Sequence, residues 1–165
     1  MNNLERISAK IADRSQLKNM LAIWRFQGKK IVFTNGCFDI LHLGHIDYLS
    51  KAKDEGNILI IGLNTDNSVS RIKGKNRPIT DENSRAKILA SLQFVDAVTF
   101  FDEETPYELI SFVQPDVLVK GSDYKPEEIV GYDIVKAKNG KVVTIDFLEG
   151  YSTTAIEKKI KSTWS

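Results

Sequence analysis

His42 and His45, the two histidines of the chain, fall within one turn of each other with Gly44 between them, directly after an apolar run. Lys30-Ile31-Val32-Phe33-Thr34 is short and β-branched, as a buried parallel strand should be. A turn through Gly36 follows, and then Ile46, Tyr48, Leu49 and Ala52 recur at helical spacing. The histidines therefore open a helix, where unpaired amides and the positive end of the helix dipole favour a phosphate. Two imidazoles on one face add donors to that anion site, and Gly44 lets a phosphate approach the backbone. A zinc site would want more ligands than these two histidines and the single cysteine, Cys37, so no metal ligand set is expected. The plain alternative is a histidine pair with no role, and the shared position just after a strand argues against it.

Other polar clusters also follow apolar runs. Arg71, Lys73, Lys75 and Arg77 place four cations in a polar stretch, 64–77, that reads as a mobile loop with a short helical piece. The run is either a solvated loop or an arm that closes on a triphosphate and neutralises developing charge. In Lys120-Gly121-Ser122-Asp123-Tyr124, Gly121 permits a tight turn and Asp123 offers an acceptor to a base amino group or a cation, although such residues are ordinary in turns. Glu149-Gly150-Tyr151-Ser152-Thr153-Thr154 precedes a final helix, where the hydroxyls cap it, hold phosphate oxygens, or do both. Arg85 stands four residues after Asp81, and spacing alone favours an i,i+4 surface pair. Asp39 either orients a histidine or caps the turn.

These residues need a scaffold, and the periodicity supplies one. Ser15 is the expected N-cap of a helix to Gln27, with Leu17, Met20, Leu21 and Trp24 as its stripe and Gly28 at C′. The histidine helix ends at Gly56, and Ile58–Leu63 is a second buried strand. Thr80-Asp81-Glu82 caps a helix to about Leu92, and Asp96–Phe101 is a third strand. Thr105-Pro106 starts a helix with proline at N1, and Asp116–Lys120 is a fourth strand. Residues 126–138 read as helical with a break near Gly131, Val142–Ile145 as a fifth strand, and Ser152 or Thr153 caps a helix through Ile160. Alternating strands and helices predict an α/β fold, a Rossmann-like, doubly wound, five-stranded parallel sheet in a single domain over residues 29–165, with residues 1–28 as a helical extension. Ligands bind such sheets at the carboxyl ends of the strands, near the switch point. Every polar cluster above follows a strand, so one site built from several loops is expected.

Composition narrows the function. The 165 residues, 42% hydrophobic and 27% charged, suffice for one core. A net charge of +1 without a basic block gives no reason to expect nucleic acid. No apolar run is long enough to span a bilayer, and the N-terminus lacks the layout of a secretory signal, so a cytoplasmic protein without a membrane partner is expected. Trp24, Phe26 and Trp164 are candidates for a homodimer seam or a cap on the core.

Taken together, His42-Leu43-Gly44-His45 and Gly150-Tyr151-Ser152-Thr153-Thr154 resemble the two signatures of the cytidylyltransferase-like branch of the His-x-Gly-His nucleotidyltransferases. Thr34-Asn35-Gly36-Cys37-Phe38-Asp39, Leu63-Asn64-Thr65-Asp66, Lys73-Gly74, Arg77-Pro78 and residues 119–128 look like the adenylyltransferase domains of bifunctional ADP-heptose synthases. The resemblance runs from about Trp24 to Lys161. It implies a heptose 1-phosphate adenylyltransferase of lipopolysaccharide biosynthesis, expected to stand alone because 165 residues leave no room for a sugar-kinase domain. It implies ATP and a sugar 1-phosphate as substrates, with Mg2+ entering on the ATP.

By the same resemblance, His42, His45 and Lys73 are catalytic. Asn35, Gly36, Cys37, Phe38, Gly44, Arg85, Lys120, Gly121, Asp123, Tyr151, Ser152, Thr153 and Thr154 contact the nucleotide, and Asp39, Asn64, Asp66 and Lys75 the acceptor. Glycerol-3-phosphate cytidylyltransferases carry an arginine where this chain has Phe147, which weighs against CTP. The competing readings are a cytidylyltransferase of a polyol phosphate, an FMN adenylyltransferase, and a nucleotide-binding regulator without turnover. A dinucleotide-dependent oxidoreductase fits less well, because the first strand–helix turn lacks Gly-x-Gly-x-x-Gly.

Overall fold

The β-branched runs divide by residue parity, as strands covered on both faces must. Five strands, β1 (Ile31–Gly36), β2 (Ile58–Asn64), β3 (Ala97–Phe101), β4 (Val117–Gly121) and β5 (Lys141–Ile145), pair in parallel in the order β3-β2-β1-β4-β5. Val32, Leu59, Ile61, Val98, Val117 and Val119 pack on one face with Leu49 and Ala52 of α3 (Leu43–Asp54) and Ala86 and Leu89 of α5 (Glu82–Ser91). Ile31, Phe33, Ile58, Ile60 and Leu118 pack on the other with Leu17 and Leu21 of α2 (Arg14–Phe26), Leu109 and Val113 of α6 (Tyr107–Val113) and Val135 of α7 (Tyr132–Ala137). Each fully buried Leu or Ile contributes about 1.5–3 kcal/mol, so the two clusters hold the sheet between its helices. The doubly wound parallel sheet expected from the sequence is the observed one.

The computed structural model describes residues 1–163, so Trp164 lies outside the described residues. Trp24 packs against the second cluster, whereas Phe26 is exposed. The remaining helices are α1 (Asn3–Ser8), α4 (Asp66–Lys73) and α8 (Thr153–Thr163). The N-cap of α2 is Asp13 rather than Ser15: its carboxylate accepts from the Gln16 N–H at 2.8 Å while Gln16 Oε1 accepts from the Asp13 N–H at 2.9 Å. That reciprocal capping box satisfies two orphan donors where a serine alone would satisfy one. Pro106 stands at the N-cap of α6 rather than at N1, and the break expected near Gly131 separates a 3-10 turn, Pro126–Glu128, from α7.

Between α1 and α2 the chain also touches the sheet. The Val98 N–H donates to Lys10 O at 2.8 Å and the Ala12 N–H to Val98 O at 2.9 Å, which joins Ile11 to the outer side of β3 in a parallel bridge.

Candidate active site

The site opens where two neighbouring strands part. β1 and β4 pair only at Val32–Val117 and Phe33–Leu118, while β1 stays with β2 to Gly36–Leu63 and β4 with β5 to Gly121–Ile145. Beyond Phe33 the carboxyl ends of β1 and β4 diverge, and a cavity of about 720 Å³ begins there. This is the switch point of the sheet. Lys120 crosses the gap, its Nζ donating to Asn35 Oδ1. Burial lowers the pKa of this ammonium to about 8, against the opposing pull of Asp123 and Cys37. Deeper in the wedge, Thr34 Oγ1 and the Tyr48 hydroxyl share a hydrogen bond of 2.8 Å.

The turn from β1 into α3 is tightly folded. Phe38 has φ 45°, a left-handed conformation that side chains seldom adopt. Its ring sits edge-on to His45, centroids 5.3 Å apart. The imidazoles of His42 and His45 stack, with centroids 3.8 Å apart and planes 25° from parallel. The His42 N–H points to His45 Nδ1 at 3.4 Å, which leaves the proton of neutral His45 on Nε2. His42 Nδ1 is buried and meets no hydrogen-bond partner among the described residues.

Burial lowers the pKa of both rings. For His45 it falls to about 4, with the neighbouring His42 and Lys73 contributing. At neutral pH the pair is therefore uncharged, and each ring carries one N–H. A Cβ on Gly44 would lie 3.1 Å from His42 Nδ1 and 3.1 Å from Tyr151 Cβ. Gly44 thus lets the first histidine and the last motif come close together at the cavity wall.

Asp39 orients neither histidine. It is buried and accepts from the Ile79 and Thr80 N–H groups at 2.8 and 2.9 Å and from Arg77 Nη1 at 2.5 Å. Burial by itself would raise its pKa, but these hydrogen bonds hold it below the ordinary carboxylate value. The Cys37 thiol lies 3.9 Å from Asn64 Oδ1, and burial pushes its pKa up, away from nucleophilic thiolate.

Arg85 is no surface partner of Asp81. Asp81 caps α5 by accepting from the Ser84 N–H at 3.0 Å. Arg85 is 1% exposed and donates to Thr80 O (2.9 Å), Cys37 O (2.6 Å), Asn64 O (2.9 Å) and Asp66 Oδ1 (2.7 Å). Arg85 and Asp66 therefore brace each other beneath the site and are not part of the cavity wall. Lys75 also lies off the wall.

The four cations leave α4 and its C-terminal turn in different directions. The segment is a helix of 8 residues whose N-cap Thr65 accepts from the Ser68 N–H. Arg71 pairs with Asp102, Lys73 faces the cavity, and Arg77 reaches Asp39 and Glu157.

The other expected residues share the one cavity. Asn35, Gly36, Cys37, Phe38 and Asp39 line it from β1 and its turn, and His42, Gly44 and His45 from the start of α3. Asn64 lines it from β2, Lys120, Gly121 and Asp123 from β4 and the turn after it, and Tyr151, Ser152, Thr153 and Thr154 from the start of α8. Ser152 Oγ accepts from the Ala155 N–H at 3.0 Å, an ordinary cap. Gly121 is required for contact rather than for its turn: a Cβ there would lie 2.2 Å from Phe147 Cζ. Phe147, Tyr48 and Tyr124 also line the wall, with Ile72, Phe101, Glu104 and Pro106, and residue spacing alone does not bring these last four to it. Arg77 stands in the sequence as a charge of the run and part of an Arg-Pro motif, with nothing to show its bridge to Asp39 and Glu157.

A family model described as Cytidylyltransferase-like matches residues 33–159. The bifunctional protein HldE of Wolinella succinogenes is 55% identical over 152 residues, 92% of this chain and 31% of that protein. HldE of Campylobacter jejuni is 56% identical over 144 residues, 87% of this chain and 30% of that protein. The chain thus spans about a third of the length of the curated relatives it matches. Among solved structures, a lipopolysaccharide core biosynthesis protein from Thermoplasma volcanium superposes with a TM-score of 0.58 at 29% identity, covering 76% of this chain and 100% of that one. A pantoate-beta-alanine ligase from Francisella tularensis, solved with an ATP compound and beta-alanine, shares the fold at a TM-score of 0.62 and 21% identity, over 92% of this chain and 76% of that one. With its histidine pair and hydroxyl motif both inside the matched span, the chain belongs to the cytidylyltransferase-like family of nucleotidyltransferases.

Proposed function

We propose that the protein transfers AMP from ATP to D-glycero-D-manno-heptose 1-phosphate, releasing ADP-heptose and pyrophosphate. The observation that carries this reading is the stacked, neutral imidazole pair at the start of α3, in one cavity with the hydroxyls that start α8. An oxygen of the sugar phosphate attacks the α-phosphorus of ATP in line. The new P–O bond forms as the bond to the β-phosphate bridging oxygen breaks, and pyrophosphate departs with that electron pair. The attacking oxygen is already anionic, so no general base is needed. Cys37, a half-buried thiol whose pKa is raised, is not a nucleophile here. Catalysis rests on positioning and on donors aimed at the growing charge. His42 and His45 donate to phosphate oxygens, Lys73 and Lys120 supply positive charge, and Ser152, Thr153 and Thr154 hold the triphosphate.

Magnesium enters as the ATP complex. Bound with the nucleotide, it would neutralise phosphate charge; among the described residues no three His, Cys, Asp or Glu side chains gather to hold a metal. The resemblance to HldE supports the heptose acceptor and a place in lipopolysaccharide synthesis. A cytoplasmic location agrees with substrates of that kind, and among the described residues no helix is long and apolar enough to cross a membrane.

The family's description favours one competitor, CTP with a polyol phosphate such as glycerol 3-phosphate. Pyrophosphate release from ATP and CTP, each offered both anomers of heptose 1-phosphate, glycerol 3-phosphate and FMN, separates them. ATP with one heptose anomer should give the fastest release. Turnover confined to CTP with glycerol 3-phosphate would overturn the assignment.

A further inference from the structure

Helix α8 brings the hydroxyl motif to the cavity, yet none of its described residues is buried. Its Glu157, one turn beyond Thr153, accepts from Arg77 Nη2. The same guanidinium donates through Nη1 to Asp39, whose carboxylate is fully buried and also takes the Ile79 and Thr80 N–H groups. Arg77 follows Lys73 by four residues, and Asp39 precedes His42 by three. One planar fork therefore joins the cation helix, the histidine turn and the hydroxyl helix. These are the three pieces that face the triphosphate in the function proposed above.

We propose that Arg77 is a positioning residue: by bridging Asp39 and Glu157 it holds α8 at the separation from the histidine turn that a triphosphate spans. The inference rests on the reading that the cavity takes ATP. Arginine suits the task because its fork serves two carboxylates at once, which a lysine ammonium on a flexible stem does poorly. With the bridge cut, α8 samples positions in which its hydroxyls miss the phosphates, and apparent affinity falls with the fraction of competent molecules.

Glu157→Gln tests this, because it takes the charge from the α8 end of the bridge, leaving only a weaker amide acceptor there, and leaves Asp39 with Arg77. Calorimetric titration with MgATP, without acceptor, should show Kd raised about tenfold, within the range usual for coupled sites. Arg77→Lys should weaken binding at least as much, and adding Glu157→Gln to it should change little more, because both act through one bridge. Amide exchange over residues 152–157 should quicken in Glu157→Gln while the core strands keep their protection. A Kd within twofold of the parent protein, or unchanged exchange in those amides, overturns the proposal. If the parent protein itself binds no MgATP, the ATP reading fails, and the exchange experiment still decides whether the bridge holds α8.

Discussion

His45 behaves least as it would in water, and the cause is its burial against His42 and Phe38. A histidine whose pKa drops on folding from 6.5 to about 4 binds fewer protons in the native state than in the unfolded one. Its contribution is therefore intact above pH 6.5 and is lost as pH falls toward 4, by less than about 3 kcal/mol in all. Asp39, with its pKa held low, loses its contribution in a different window, below about pH 4. Urea unfolding at pH 7 and pH 5 should show lower stability at pH 5, and His45→Gln should flatten that difference. In turnover, His42→Ala and His45→Ala should each lower kcat by about 10²–10³, the effect of one lost transition-state donor of roughly 3–4 kcal/mol, without loss of fold by circular dichroism. The histidines were legible because rare residues at one helix start carry their own context. Arg85 was not legible: i,i+4 spacing describes exposed helix faces, and only tertiary packing puts that side chain under the turn.

At the scale of elements, Arg85 joins the β1–α3 turn, the end of β2 and the entry to α5 with a single guanidinium. Replacing it by methionine leaves Asp66 and three carbonyl oxygens without their donors. Chemical denaturation should report a loss of about 3–5 kcal/mol, the usual result of removing one partner of a buried charged network. Arg85→Lys should rescue little, since an ammonium cannot reach all four acceptors in one plane. The strands and most helices followed from periodicity and caps, and boundaries moved by a residue or two where a capping box outbid a lone serine. The stretch 64–77 was harder. Its composition is that of a loop, and the short helical piece expected in it is α4, which forms because Thr65 caps it and Val69 is buried beneath it.

Across the whole molecule, the parting of β1 from β4 sets the electrostatics of the cavity. Lys120 bridges that gap from a half-buried position, and its charge is lost as pH rises past about 8. MgATP affinity should fall over the same range. Lys120→Arg, which stays charged, should hold its affinity to higher pH, and calorimetry at pH 7 and 9 checks both. The parallel sheet and its switch point were legible because strand–helix alternation leaves few topologies. The packing of Phe147 on Gly121 was not, because the two segments meet only in the completed sheet.

The pairing of Lys10 and Ala12 with Val98 occupies the outer margin of β3 at one residue. A shortened protein beginning near Lys29 would bare the Val98 N–H and carbonyl on that strand, together with the apolar face that Leu17 and Leu21 cover, an invitation to neighbouring copies. It should scatter light and sediment as higher-order species while the intact chain stays dispersed, so the opening residues act as a guard against self-templated stacking.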